Sequence, residues 1–239
     1  MIQAAIPYPA ATVILVRPDQ GGYFEVFMNR RPDNMTTYAG VFVFPGGRVE
    51  AEDWSERMLN LVHGISPSKA QEILGCNSQP DLCMGYWVAA VRELFEESGI
   101  HFFVSREGEP TDRLQQELSG RLTKQREALQ QGQIDFPSLL ESEKLSCDVS
   151  RLIYFFHRVT PEHYAVRFDT RFYLAALPRH QSALEISEEV AESLWIRPNE
   201  ALERARSGHY RVMPPTLAVL KALAGHNSWV ELCDAYRLT

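Results

Sequence analysis

The stretch from Leu82 to Gly99 limits what this chain can fold into more than any other. At about 100° per residue, the consequence of about 3.6 residues per helical turn, Met84, Trp87, Val88, Val91, Leu94 and Phe95 share one side. Glu93, Glu96 and Glu97 fall within about 100° of one another on the other. The pattern predicts a helix over about 82–98, with Asp81 as N-cap and Gly99 at the C′ position, where a left-handed residue ends many helices. Ala89 and Ala90 beside the carboxylates are small enough to let a ligand approach, and Arg92 stands four residues before Glu96, within ion-pair reach. Three like charges at i, i+3 and i+4 repel by roughly a few tenths of a kcal/mol per pair, and one Arg does not offset all of them. The face is therefore either the solvated side of an amphipathic helix or the seat of a hard divalent cation, since such ions favour clustered carboxylate oxygens.

The rest of the chain reads as strands and helices interspersed, an α+β order. Thr12–Val16 and Phe24–Met28 are β-rich runs flanking the turn-rich Pro18-Asp19-Gln20-Gly21-Gly22 and predict a hairpin. Val41–Phe44 predicts a short strand that Pro45-Gly46-Gly47 stops, opening a loop rather than a helix. Apolar residues at helical spacing from Trp54 to Leu74, broken at Gly64 to Pro67, predict short helices. The polar stretch from about Gly108 to Lys144 predicts surface helices. Leu152–Phe156 and Arg171–Ala176 predict two central strands, and Leu194-Trp195-Ile196 leads into a helix opened by Pro198. Helices are expected at about 215–223 and 228–236. The expected organisation is a single domain, 1–239, with helical insertions at about 54–81 and 108–145.

Charge and cysteine usage narrow the partners. A net charge of −7 argues against nucleic-acid binding, which leaves a basic footprint, although a bound metal ion lets an acidic pocket accept an anionic small molecule. Cys76, Cys83, Cys147 and Cys233 have no Cys-x-x-Cys spacing and read as reduced, mostly buried thiols. The apolar run Ala11–Val16 is far shorter than the roughly 20 residues of a membrane helix. There is no signal-peptide layout, and Arg237-Leu238-Thr239 is not a Ser-Lys-Leu address, so the expectation is a cytoplasmic protein with no membrane partner.

Arg92-Glu93-Leu94-Phe95-Glu96-Glu97-Ser98-Gly99-Ile100 matches the second half of the Nudix box, Arg-Glu-U-x-Glu-Glu-x-Gly-U with U a bulky aliphatic, at every specified position. Upstream, Phe44-Pro45-Gly46-Gly47 looks like the start of the box, and Asp53 stands where the pattern has Glu. The sequence thus resembles the Nudix hydrolase family, with two departures. Asp shortens the reach of a carboxylate whose role would be to pair with Arg92, and residues 54–91 fill a gap that usually holds seven. Loop closure costs only about 0.6 kcal/mol per doubling of length, so the two half-motifs can still meet. The resemblance implies a Nudix fold, a mixed β-sheet sandwiched between helices, holding Mg²⁺ or Mn²⁺. It carries over Glu93, Glu96 and Glu97 as metal ligands, the Gly46 carbonyl as a further one, and Arg92 as the residue that orients the carboxylates. Glu96, Glu97 and Arg92 are then the catalytic set, and Glu189, six residues before Trp195, is a further candidate base or ligand.

The long insertion, Phe168-Asp169-Thr170-Arg171-Phe172-Tyr173-Leu174-Ala175 and Pro214-Pro215-Thr216 together look like the peroxisomal-type coenzyme A diphosphatase branch and its bacterial relatives. That implies hydrolysis of coenzyme A or acyl-coenzyme A to 3′,5′-ADP and 4′-phosphopantetheine. The alternatives are an ADP-ribose, nucleotide-sugar or dinucleotide diphosphatase, or a non-catalytic Nudix binding module. Coenzyme A carries an additional 3′-phosphate, and Arg30, Arg31 and Arg48 are the nearby guanidinium groups that could receive it. The expected partner is a small diphosphate, bound by a monomer or homodimer.

Overall fold

In the computed structural model the described residues are 5–34, 38–109, 111, 116–184 and 191–238. Strands β1 (Tyr8–Pro18) and β2 (Phe24–Arg30) form the expected hairpin, with Val16 opposite Val26. Its turn is held by Asp19, whose Oδ1 accepts from the N–H groups of Gly21 and Tyr23 at 2.8 and 2.9 Å. Strand β3 (Val41–Val43) lies on the far side of β2. The expected loop at Gly46 is instead a short strand, β4 (Gly46–Arg48), antiparallel to β1 with Ala11 opposite Gly47. Only glycine fits there, because a β-carbon on Gly46 would collide with the Ala11 carbonyl.

A 3₁₀ turn (Ala51–Trp54), α1 (Glu56–Leu59), the two-residue strand β5 (Val62–His63) and α2 (Pro67–Leu74) fill the first insertion. Then comes α3 (Pro80–Ser98), the helix carrying the carboxylates. It starts two residues earlier than expected, with Gln79 as N-cap, Pro80 in the first turn and Asp81 inside the helix; Gly99 ends it in the left-handed conformation at φ 73°. Strand β6 (Phe103–Ser105) precedes the second insertion, made of α4 (Gln116–Gln130) and α5 (Phe136–Ser142) and closed by β7 (Leu145–Asp148). The chain continues through β8 (Ile153–Val159), β9 (Phe168–Ala176), β10 (Glu192–Ile196), α6 (Pro198–Arg206), β11 (Arg211–Val212), α7 (Pro214–Leu223) and α8 (Trp229–Tyr236).

The main sheet is mixed, in the order β11-β3-β2-β1-β9-β8, with β10 added to β2 and β4 to β1. Its centre is the parallel pair of β1 and β9, in register from Tyr8 with Phe168 to Val16 with Ala176. The expectation of two central strands therefore holds for β9, while β8 is at an edge and its last three residues are exposed. Alternation along the strands separates two cores. Ala11, Val13, Leu15, Tyr173 and Ala175 point to the face covered by α3 and the insertions, and Ile14, Val16, Phe172 and Leu174 to the face that packs residues of α6, α7 and α8. This is the mixed sheet between helices that the family resemblance implies.

Strands β5, β7 and β6 form a second sheet of three strands. It joins the first insertion, the segment after α3 and the end of the second insertion into one layer. Cys76 and Cys83 are joined as a disulfide across the turn that reverses the chain between α2 and α3, so the expectation of reduced thiols is corrected there; Cys147 and Cys233 are free. Among the described residues no helix is long and apolar enough to cross a membrane.

Candidate active site

Arg92 is the hub of the site. It is only 8% exposed, and its fork grips Asp53, itself 1% exposed, with Nε donating to Oδ1 at 2.8 Å and Nη2 to Oδ2 at 2.9 Å. Nη2 also donates to the Arg48 carbonyl at 2.8 Å, and Nη1 to Glu93 Oε1 at 2.8 Å and Glu96 Oε1 at 3.1 Å. A planar guanidinium with five N–H donors serves all four partners at once, which a Lys cannot do. The shorter Asp at position 53 reaches because the 3₁₀ turn of residues 51–54 packs directly on α3, and the Glu50 N–H donates to Asp53 Oδ2 at 2.8 Å, fixing its rotamer. The two half-motifs thus meet despite the insertion between them.

The Gly46-Gly47 strand lies against the carboxylates. A β-carbon on Gly47 would overlap the Glu93 carboxylate, so the backbone comes as close to that oxygen as the chain can bring it. Burial pushes the Glu93 carboxyl up to about 7; Glu96 and Asp53 add to the shift, and Arg92 opposes it. Glu97 sits on the neighbouring turn, where Asn29 Nδ2 donates to its Oε2 at 2.9 Å. Asn29, 1% exposed, is held in turn by Ser193, whose hydroxyl donates to Asn29 Oδ1 at 2.9 Å. The sequence reading passed over this pair. Its signal was an amide directly after the apolar run Val26-Phe27-Met28, a residue that strands disfavour.

The far end of α3 is capped from the second insertion. The Glu96 carbonyl, one of the last four that a helix leaves without an internal partner, accepts from Arg126 Nη1 and Gln130 Nε2, both at 2.8 Å. The Ser98 carbonyl accepts from the Leu184 N–H at 2.9 Å. Ala89 and Ala90, expected to border a ligand, are instead fully buried in the core beneath the helix.

Among the described residues, no three His, Cys, Asp or Glu side chains are drawn into a cage ready to hold an ion. The physical reason is local: Arg92 takes Glu93 and Glu96, and Asn29 takes Glu97. The three expected phosphate-binding arginines have different surroundings. Arg30 is paired with Asp33 at 2.6 Å. Arg31 has a buried Nε with no hydrogen-bond partner among the described residues, and the Arg48 guanidinium lies 4.2 Å over the Tyr8 ring. Glu189 lies outside the described residues.

Comparisons with known proteins follow the same outline. The family description NUDT19 Nudix domain matches residues 4–223. A putative nudix hydrolase 7 of Caenorhabditis elegans is 30% identical over 149 residues, covering 62% of this chain and 47% of that protein. The acyl-coenzyme A diphosphatase NUDT19 of Gallus gallus is 28% identical over 241 residues, covering 87% of this chain and 63% of that one. The chain thus spans less than two thirds of the length of these curated relatives. The crystal structure of a NUDIX hydrolase from Alicyclobacillus acidocaldarius superposes with a TM-score of 0.75 at 28% identity, covering 98% of this chain and 97% of that one. With its box assembled around Arg92 and a family match over most of its length, the chain belongs to the Nudix hydrolases, in the group described by the NUDT19 Nudix domain.

Proposed function

We propose that this chain hydrolyses the diphosphate linkage of a nucleoside diphosphate derivative, coenzyme A or acyl-coenzyme A, giving 3′,5′-ADP and 4′-phosphopantetheine or its acyl form. The observation that carries the reading is the Arg92 hub, which gathers Asp53, Glu93 and Glu96 against the Gly46-Gly47 backbone. Three acidic groups from two separate segments converge there on one buried cation. The NUDT19 names of the relatives support the substrate class.

The donors fit a hard divalent ion. Glu93, Glu96 and Glu97, with the Gly46 carbonyl, would hold Mg²⁺ or Mn²⁺ through oxygen, and a Glu93 carboxyl raised to about 7 by burial is one that a cation would stabilise in its charged form. Such an ion, when bound, neutralises phosphate oxygens and lowers the pKa of a water molecule near it. The chain's own contribution is positioning. Arg92 fixes the rotamers of Glu93 and Glu96, Asn29 fixes Glu97, and Glu97 or Glu189 receives the proton of the attacking water. Arg31 and Arg48 are the basic groups that would meet the 3′-phosphate; Arg30 is already committed to Asp33.

The test is purified protein with Mg²⁺ or Mn²⁺ against coenzyme A, an acyl-coenzyme A, ADP-ribose, NADH and a diadenosine polyphosphate, with products identified. Cleavage of the coenzyme A compounds to 3′,5′-ADP is expected. Preference for ADP-ribose or a dinucleotide would overturn the substrate, and cleavage of none would overturn the reaction. Glu97→Gln should lower kcat by roughly a hundredfold or more, in the range of a general-base contribution, with an unchanged melting curve in EDTA; near-normal turnover would remove Glu97 from the site.

A further inference from the structure

At the C-terminal end of α3, on the face opposite Glu93 and Glu97, lies a cavity of about 350 Å³, within the size range of small-molecule sites. Phe95 and Gly99 form its wall on the helix, α4 of the second insertion forms another, and the segment 180–184 a third. Its polar lining includes Arg126, His101, His180 and Ser119, and no described residue of the lining is acidic. Arg126 is only 8% exposed, and among the described residues it has no carboxylate partner; the hydrogen bond described for its guanidinium goes to the Glu96 carbonyl. Burial opposes the charge of this guanidinium more than Glu127, its neighbour in sequence, favours it, and the negative end of a helix dipole offsets only part of that cost.

Guanidinium, imidazole and hydroxyl groups around one recess are the donors that recognise a doubly charged, three-oxygen anion. We propose that this cavity binds a phosphate monoester, with Arg126 as the principal contact and the hydroxyl of Ser119 at the rim. Apolar Leu122 and Leu118 on the same helix leave room for a short organic body next to the phosphate. The ligand class stands on the cavity alone, but a link to turnover rests on the function proposed above. When water cleaves a diphosphate diester, its oxygen ends on one phosphorus, the bridging oxygen stays on the other, and its two protons go one to each half before further ionisation. Both products are phosphate monoesters. The cavity would then read the enzyme's own product at the end of the carboxylate helix, through the residue that holds the Glu96 carbonyl.

The test is calorimetric titration of the whole protein with phenyl phosphate in EDTA, so that no metal recruits the probe to the carboxylates, with phenol as the neutral control. Saturable binding of phenyl phosphate and none of phenol is expected. Arg126→Leu should weaken it about tenfold or more, the equivalent of one charge-assisted hydrogen bond. Leu122→Trp, which fills the cavity and leaves Arg126 in place, should weaken it as well, so the result does not hang on how well the Arg variant folds. Glu97→Gln should bind as the wild type does. Absence of saturable binding, binding untouched by Leu122→Trp, or binding lost in Glu97→Gln would each overturn the proposal. Turnover is measured separately: binding in the cavity without diphosphate cleavage would sink the reaction proposed above and leave this site standing.

Discussion

Arg92 and Asp53 are both buried, so their bond is not one of the exposed ion pairs that contribute little. Asp53→Asn leaves the shape but removes the charge opposite a buried guanidinium. It should cost about 3 kcal/mol, at the lower end for a broken buried pair because Glu93 and Glu96 still face Arg92; a loss below about 1 kcal/mol by urea denaturation would show that the pair is not structural. Glu93 gives a second prediction at this scale. Its carboxyl is raised from 4.5 to about 7 in the metal-free fold, so the folded chain holds the proton more tightly than the unfolded one. The stability it contributes is full below about pH 4.5 and is lost as pH rises through about 7. In EDTA, the melting temperature of wild type minus that of Glu93→Gln should therefore fall between pH 5 and pH 8; a flat difference would contradict the shift. Much of this residue-level picture was legible beforehand, since a nine-residue match names the side chains. Two things were not: whether a shortened Asp could reach, which depends on where the 3₁₀ turn packs, and Asn29, whose partner Glu97 is 68 residues away.

At the scale of elements, the long periodic segments were readable and, apart from β3, the shortest strands were not. Helix α3 and strands β1, β2 and β9 carry enough periodicity to declare themselves. Strands β4, β5 and β7 have two to four residues, too few to show a period, and exist because a neighbouring chain segment supplies their hydrogen-bond partners. Without β7 the second insertion reads from its polar sequence as surface helices alone. The structure makes it part of the core: Leu139 and Leu140 of α5 are fully buried in the same cluster as Leu94 and Phe95 of the carboxylate helix. Leu139→Ala should accordingly cost about 2–5 kcal/mol, the range for truncating a core leucine. A change within about 0.5 kcal/mol in thermal or chemical denaturation, the usual effect at a surface, would mean that the second insertion packs only loosely.

For the whole molecule, binding at the site and stability of the fold are linked, because Glu93, Glu96 and Glu97 are assembled only in the folded chain. A divalent ion at about 100 times its Kd should add about 2.7 kcal/mol, read as a rise in melting temperature of roughly 5–10 °C for a protein of this size. Glu97→Gln should reduce the rise, and an equal rise in that variant would place the ion elsewhere. The topology carries a further consequence, for synthesis. The central strand β1 takes as its parallel neighbour β9, whose first paired residue, Phe168, follows Tyr8 by about 160 residues. At roughly 5–20 residues per second, a ribosome needs about 10–30 s to deliver that partner. Through that interval Val13-Ile14-Leu15-Val16, fully buried in the finished protein, has an open edge on the side β9 will take. Translation speed and chaperone supply, more than equilibrium stability, should then govern how much of this chain reaches its native state in a cell, and slowing elongation past β2 should lower the soluble yield.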